Sequence, residues 1–336
     1  MTIRPDDSVR TAPARPSIGA RRLLAVSSAG GHFKQLIRLV DRIPDIRHVT
    51  WVTHDSGLIP DLLSAAGRND DPVIFAPYAA PRDLRNLARN ALVVRRVLNS
   101  DTFDLAVSTG SGIAVAALPL ARARGVRSCF IESAARTHGP SLSGRILART
   151  PGIDLYAQHE GYPDRWRYVG SVVDEYIPGV PLDTTPRLRR VVVSLGTIRG
   201  FGFRRLLERL ISILPQDAEV LWQTGSTDTT GLPIQARPNV PGKEFEAAVA
   251  NADIVIAHAG MGTALTCFEQ GVCPVFVPRR SRFGEHVDDH QEVTASDLVA
   301  RGLVVSCEAD ELSLVHLERA ASRRVSHHPR PAPLEI

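Results

Sequence analysis

The chain has almost no lysine. Lys34 and Lys243 are the only two among 40 basic residues, so its basic character rests on arginine. A formal net charge of +4 over 336 residues is small. It is compatible with an anionic substrate or an anionic membrane surface but points firmly to neither, and nucleic acid is not among the expected partners. Long apolar runs are also missing. No stretch approaches the ~20 residues that cross a bilayer, and the first twenty residues are polar, with arginines and prolines where a signal peptide would be apolar. The expected location is therefore cytoplasmic, with any membrane-bound substrate approached from the surface. Cys129, Cys267, Cys273 and Cys307 form no C-x-x-C pair and lie in or beside apolar segments, which reads as reduced thiols in a core.

The chain does have enough apolar material for two cores, with 43% hydrophobic and 23% charged residues. Apolar strands alternate with helical stretches twice over, the pattern of two parallel α/β domains. The first series places strands near 22–27, 47–53, 72–75, 104–108, 127–131 and 153–157, and the second near 190–195, 219–223, 253–257, 273–277 and 303–305. Three prolines and a glycine between Tyr176 and Pro186 suit a linker. The expected organisation is a disordered segment over 1–20, a first Rossmann-like domain over 21–175, a linker over 176–188, a second Rossmann-like domain over 189–325 and a flexible tail over 326–336.

Within the second series, the strand Asp253-Ile-Val-Ile-Ala257 runs into His258-Ala-Gly-Met-Gly-Thr263, a glycine turn opening a helix. Such a turn gathers free backbone N–H groups and the positive end of a helix dipole at one point, which suits a pyrophosphate. After the next strand comes Asp288-Asp-His-Gln291. In a parallel sheet both connections emerge at the carboxyl edge, so phosphates and a hydroxyl-rich group can be held side by side, as a nucleotide sugar requires. A second glycine turn, Ser27-Ser-Ala-Gly-Gly-His-Phe33, follows the first strand of the chain and serves either as an anion nest or as a tight turn.

Over residues 189–306 the order of these parts resembles the donor-binding domain of glycosyltransferase family 28, the MurG-like transferases. It resembles still more the catalytic subunit of the two-subunit UDP-N-acetylglucosamine transferase of asparagine-linked glycosylation and its bacterial exopolysaccharide relatives. Val107-Ser-Thr-Gly-Ser-Gly-Ile113, Phe130-Ile-Glu-Ser133 and Pro140-Ser-Leu-Ser-Gly-Arg145, together with Gly30-Gly31-His32, resemble the acceptor-side, membrane-recruiting subunit over Arg22 to Gly170. The resemblance implies both subunits fused in one chain, acceptor half first, and a GT-B architecture: two Rossmann-like domains facing across a cleft. It implies an inverting, UDP-sugar-dependent transferase extending a polyprenyl-diphosphate-linked saccharide in exopolysaccharide or other surface glycan assembly, peripheral on the inner face of the cell membrane. A nucleotide-sugar 2-epimerase and a non-catalytic nucleotide-sugar-binding scaffold are the alternatives.

Sugar transfer needs a group to take the acceptor proton and a group to stabilise the departing diphosphate. No D-x-D triplet occurs, so no metal clamp and no cofactor are expected. Leaving-group stabilisation is assigned to Gly260, Met261, Gly262 and Thr263, faced by Ser194, Gly196 and Thr197. His258 either adds a hydrogen bond to phosphate or is a buried structural histidine. His32 is the leading candidate base, or else a loop-ordering or phosphate-contacting residue. Glu132 is its rival, or else ties down the 140–145 segment through an ion pair. Gly30, Gly31, Gly110 and Gly112 form the acceptor-side glycine loops.

The family pattern carries a ribose-binding glutamate where this chain has Thr266. Glu269, one helical turn on, either reaches the ribose with Thr266 or is a solvated helix charge. Gly242 and Phe245 align with the uracil-contacting stretch, Asp289, His290 and Gln291 resemble the family's donor-sugar contact, and Asp288, Asp289 and Gln291 are candidate sugar readers. Arg279, Arg280 and Arg282 form either an anion-accepting cluster or a solvated loop. On a predicted helix over 82–98, Arg85, Arg89 and Arg96 fall within an arc of about 40°, beside an apolar face holding Leu84, Leu87, Ala88, Ala91 and Leu98. Arg95 points into that apolar face. Such a helix either lies on anionic lipid or packs on its own sheet.

Overall fold

The structure is a computed structural model that describes residues 21–80, 83–137, 139–184, 186–196 and 200–336. The expected 1–20 segment and Thr197 lie outside the described residues. Valine- and leucine-rich runs with few polar interruptions form strands buried on both faces, as parallel sheets demand. The first sheet holds β1 (Arg21–Ser27), β2 (Ile46–His54), β3 (Val73–Ala76), β4 (Leu105–Gly110), β5 (Arg127–Ile131), β6 (Ile153–Ala157) and β7 (Trp166–Tyr168), ordered β3-β2-β1-β4-β5-β6-β7 and parallel throughout. Its helices are α1 (Gly31–Asp41), α2 (Ile59–Ala65), α3 (Leu84–Ser100), α4 (Gly112–Ala123) and α5 (Leu142–Leu147).

After a short strand, β8 (Tyr176–Pro178), a second parallel sheet follows. It holds β9 (Arg190–Ser194), β10 (Glu219–Gln223), β11 (Ala236–Arg237), β12 (Ile254–Ala257), β13 (Val275–Phe276) and β14 (Val305–Ser306), ordered β11-β10-β9-β12-β13-β14. The helices of this half are α6 (Arg204–Ile213), α7 (Gly242–Asn251), α8 (Met261–Glu269), α9 (His290–Ala300) and α10 (Leu314–Ala321). The two-domain expectation is met: each sheet has Rossmann-like order, reversing direction once. In the first the order turns between β1 and β4, in the second between β9 and β12. Loops diverge at such switch points and leave a crevice.

Two expectations are corrected. Part of the expected linker is ordered as β8, which pairs antiparallel with β15 (Val325–His327). The expected flexible tail instead returns to the first domain. The His328 amide donates to the Glu175 carbonyl, the Leu334 amide to the Arg42 carbonyl, and Arg42 Nε to the Ala332 carbonyl, while Leu334 is fully buried. Apolar residues at alternate tail positions supply the reason, since they are covered only by folding back. All four cysteines are free, three of them buried.

Candidate active site

Two helix N-termini bound the cleft. α1 starts at Gly31 behind Gly30, whose φ is +85°, and α8 starts at Met261 behind Gly260; neither has a side-chain cap. Their first-turn N–H groups are therefore available to an anion. A Cβ placed on Gly30, Gly31 or Gly262 would meet nothing within 4 Å, so the backbone there is open to a ligand.

Each switch point carries the same device. His32 Nδ1 lies 2.9 Å from the Thr109 carbonyl at the end of β4, and His258 Nδ1 lies 3.2 Å from the Ser194 carbonyl at the end of β9. A carbonyl can only accept, so each imidazole carries its proton on Nδ1 and its lone pair on Nε2. The glycines beside them make room for the rings. A Cβ on Gly110 would come within 3.0 Å of the His32 ring, and one on Gly196 or Gly260 would collide with the His258 ring.

Burial lowers the pKa of both histidines. For His32 desolvation leads and the Arg136 charge adds to it, against the Thr109 hydrogen bond. For His258 desolvation and then Arg279 bring the value to about 3. Both are neutral near pH 7.

His32 and Glu132 line one cavity of about 760 Å³. Ser28, Ser111, Gly112, Arg136 and Ser141 add polar groups, and Tyr78, Leu84, Leu87, Val115, Leu142 and Ile146 make an apolar rim. Ser111 sits at φ +66°, a left-handed conformation costly for a residue with a side chain, so this loop stores strain beside the cavity. Glu132 is 1% exposed and already engaged: Oε2 accepts from the Ser141 amide at 2.8 Å and Oε1 from the Ser133 amide at 3.2 Å. It does tie down the 140–145 segment, but through the Ser141 backbone amide and not through an ion pair. Gly144 makes this possible, because a Cβ there would lie 2.5 Å from Glu132 Oε2. Burial raises the Glu132 pKa, opposed by these amides.

A second cavity, of about 490 Å³, lies between α1 and α2 on one side and α7 and α8 on the other. Gly242, Phe245, Thr266 and Glu269, named from sequence for uridine, all line it. Sequence reasoning missed what faces them. Lys34 of α1 reaches Glu246 at 2.9 Å and Thr266 Oγ1 at 3.2 Å, and Arg38 reaches Glu269 at 2.8 Å. Glu269 is thus no solvated helix charge but half of an inter-domain ion pair. Only the scarcity of lysine hinted at Lys34; its partner lies 212 residues away.

The remaining candidates sort by attachment. Ser194 is fully buried, with its hydroxyl accepting from Gln223 Nε2 at 3.0 Å, so its carbonyl faces the site and its side chain does not. Asp289 accepts from the Ser281 amide and hydroxyl, both at 2.8 Å, and Gln291 Oε1 accepts from the Arg279 amide at 3.1 Å. Both shape the loop. Asp288 faces the first domain, where Arg136 approaches its Oδ2 at 3.8 Å.

The three arginines do not form one cluster. Arg279 is buried and donates to the Leu195 carbonyl, placing a charge beside the loop that follows β9, while Arg280 pairs with Glu292 and Glu308. On α3 the buried side is Asn90, Val94, Val97 and Leu98. Leu84 is 75% and Leu92 54% exposed, and Arg85, Arg89 and Arg96 share that outer side. Arg95 is exposed, not directed into the buried face, because the helix packs along the Val94–Val97 line.

Residues 191–328 match the glycosyltransferase family 28 C-terminal domain. The chain is 25% identical over 341 residues to the UDP-N-acetylglucosamine-N-acetylmuramyl-(pentapeptide) pyrophosphoryl-undecaprenol N-acetylglucosamine transferase of Parasynechococcus marenigrum (strain WH8102), covering 93% of this chain and 91% of that one. Among solved structures it is similar to MurG of Acinetobacter baumannii, with TM-score 0.51, 18% identity and 89% of each chain covered. It is also similar to a UDP-N-acetylglucosamine 2-epimerase, with TM-score 0.53, 10% identity, and 90% of this chain and 86% of that one covered. At such identities the solved structures speak for the fold alone. Residues 191–328 thus form a glycosyltransferase family 28 C-terminal domain, and the chain is a glycosyltransferase of GT-B fold, similar over most of its length to the transferase of Parasynechococcus marenigrum.

Proposed function

We propose that the chain transfers a sugar from a UDP-sugar to a polyprenyl-diphosphate-linked saccharide, with inversion and without metal, on the cytoplasmic face of an anionic membrane. The observation that carries this reading is the cavity holding His32 and Glu132, polar at its floor and apolar at its rim, beside a helix with exposed leucines and arginines. A polar saccharide and a lipid-linked diphosphate need that combination. No helix among the described residues is long and apolar enough to cross a membrane, so contact would be made from the surface.

In this mechanism the diphosphate rests on the α8 N-terminus, where Met261, Gly262 and Thr263 offer N–H groups and buried Arg279 adds positive potential. Thr197 belongs to the same proposed site. The uridine enters the cavity between α1 and α8, taking hydrogen bonds now made by Lys34, Thr266 and Glu269. Asp288 meets the donor sugar. His32 Nε2 takes the acceptor hydroxyl proton, and the sugar carbon bonds to that oxygen as the bond to the UDP oxygen breaks. Glu132 shapes the floor of the acceptor site.

The relatives whose names carry a pyrophosphoryl-undecaprenol acceptor support a lipid-linked acceptor. Exopolysaccharide as the destination rests only on the sequence resemblance. A panel of UDP-sugars assayed against polyprenyl-diphosphate mono- and disaccharides, with and without EDTA, tests the reading. Acceptor-dependent sugar transfer that persists in EDTA is expected. A donor epimer formed without acceptor would make the chain an epimerase, and nucleotide binding without turnover would make it a scaffold.

A further inference from the structure

The loop entering α9 holds a set of metal-type ligands that overlaps the proposed donor-sugar contact at Asp288 and His290. His286, Asp288 and His290 alternate along the chain, and one ligand atom from each lies within 4.8 Å of the other two. His286 Nδ1 stands 3.3 Å from Asp288 Oδ1, and His290 Nδ1 contacts the same oxygen. A tetrahedral zinc ion with Zn–N and Zn–O bonds near 2.1 Å has ligand-to-ligand edges of about 3.4 Å, so the first pair already stands at metal-bound spacing. Two imidazoles and one carboxylate suit zinc, cobalt or nickel, and are poor ligands for magnesium or calcium, which prefer oxygen alone.

The site is built rather than accidental. His286 is 6% exposed and stacks on Phe201 at 5.5 Å and 26°, while its ring meets His290 edge-on at 4.6 Å. These contacts hold two imidazoles on one carboxylate oxygen. The other oxygen of Asp288 remains directed at Arg136 of the first domain.

We propose that His286, Asp288 and His290 form a binding site for a divalent transition metal of the zinc class, with the fourth position open to the cleft. Binding requires the His290–Asp288 contact to widen as the cation takes the place of the proton between them. The remaining carboxylate oxygen stays available to Arg136, so the metal fixes the loop against the first domain. It makes no bond to the transferred sugar carbon; it shares Asp288 and His290 with the proposed donor-sugar contact, and zinc binding is measured with no donor present.

Zinc alone, titrated into EDTA-treated full-length protein by calorimetry, is expected to bind at one equivalent in the micromolar range or tighter. Cobalt should give the visible absorption bands of a four-coordinate site. His290→Ala, at a half-exposed position, should weaken zinc at least tenfold. His286→Phe keeps a ring stacked on Phe201 and should do the same while preserving the fold. Absence of stoichiometric zinc binding in the wild type, or variants that bind as tightly as the wild type, overturns the site and leaves a hydrogen-bonded His–Asp–His cluster.

Discussion

In the proposed mechanism His32 is the base, and its surroundings prepare the ring for that role. The Thr109 carbonyl fixes its tautomer, Gly110 gives it room, and burial keeps it neutral. A general base contributes about two to four orders of magnitude. His32→Ala is therefore expected to lower kcat by that factor while leaving UDP affinity, measured by calorimetry, nearly intact. A parallel loss of UDP affinity would make His32 a phosphate ligand. The pH dependence follows in sign: the neutral ring is the active form, and its pKa lies below the ordinary 6.5. Transfer should hold as pH falls to that value and decline only at lower pH. An acid limb centred above 6.5 would point away from His32.

Glu132 is the weaker candidate because both its oxygens already accept backbone amides. The sequence placed it correctly just beyond an apolar strand. It could not show that Ser141, nine residues on, would occupy it.

At the level of elements, α8 is the proposed seat of the donor diphosphate. Its N-terminus is uncapped, and a Cβ on Gly262 projects into open space, so a larger side chain there is expected to leave the fold intact and fill the ligand's place. Gly262→Val should weaken UDP binding at least tenfold by calorimetry, without loss of thermal stability. Unchanged affinity would move the nucleotide elsewhere.

The helix α3 makes a second prediction. With its inner side packed, its outer side presents Arg85, Arg89 and Arg96 beside exposed Leu92. Each basic residue near an anionic surface contributes about 1 kcal/mol, so replacing all three with glutamate should weaken binding to anionic liposomes by roughly a hundredfold or more. Transfer to a short soluble acceptor should survive, and wild-type binding should weaken as salt rises. Equal loss with both acceptors would make α3 a structural helix only.

Across the whole molecule, the halves are joined by contacts that no local pattern announces. Lys34–Glu246, Arg38–Glu269 and Arg136–Asp288 span the cleft, and Tyr176 packs on Phe268 at 5.3 Å. Partly exposed ion pairs add little stability, so they serve to set the relative placement of the domains. The returning tail adds more. Leu334 is fully buried and Ile336 is 9% exposed, and burying each such side chain contributes about 1.5–3 kcal/mol. Deleting residues 329–336 should lower the first thermal unfolding midpoint by several degrees in calorimetry. An unchanged midpoint would show the tail to be dispensable.

The strands of both sheets were legible from sequence because parallel strands must be apolar on both faces, and the glycine turns because a positive φ or a close approach excludes side chains. The His32 and His258 loops stood out for the same reason. Local chemistry thus determined two Rossmann-like domains, their order along the chain and the residues at each switch point. The tertiary structure alone decided which of those residues are free to act. It engaged Glu132, Asp289 and Gln291 in loop contacts, paired Glu269 with Arg38, brought Lys34 to Thr266, and returned the tail to the first domain. Each of these depends on partners distant in sequence or on the path of an irregular loop, and neither leaves a periodic trace in the chain.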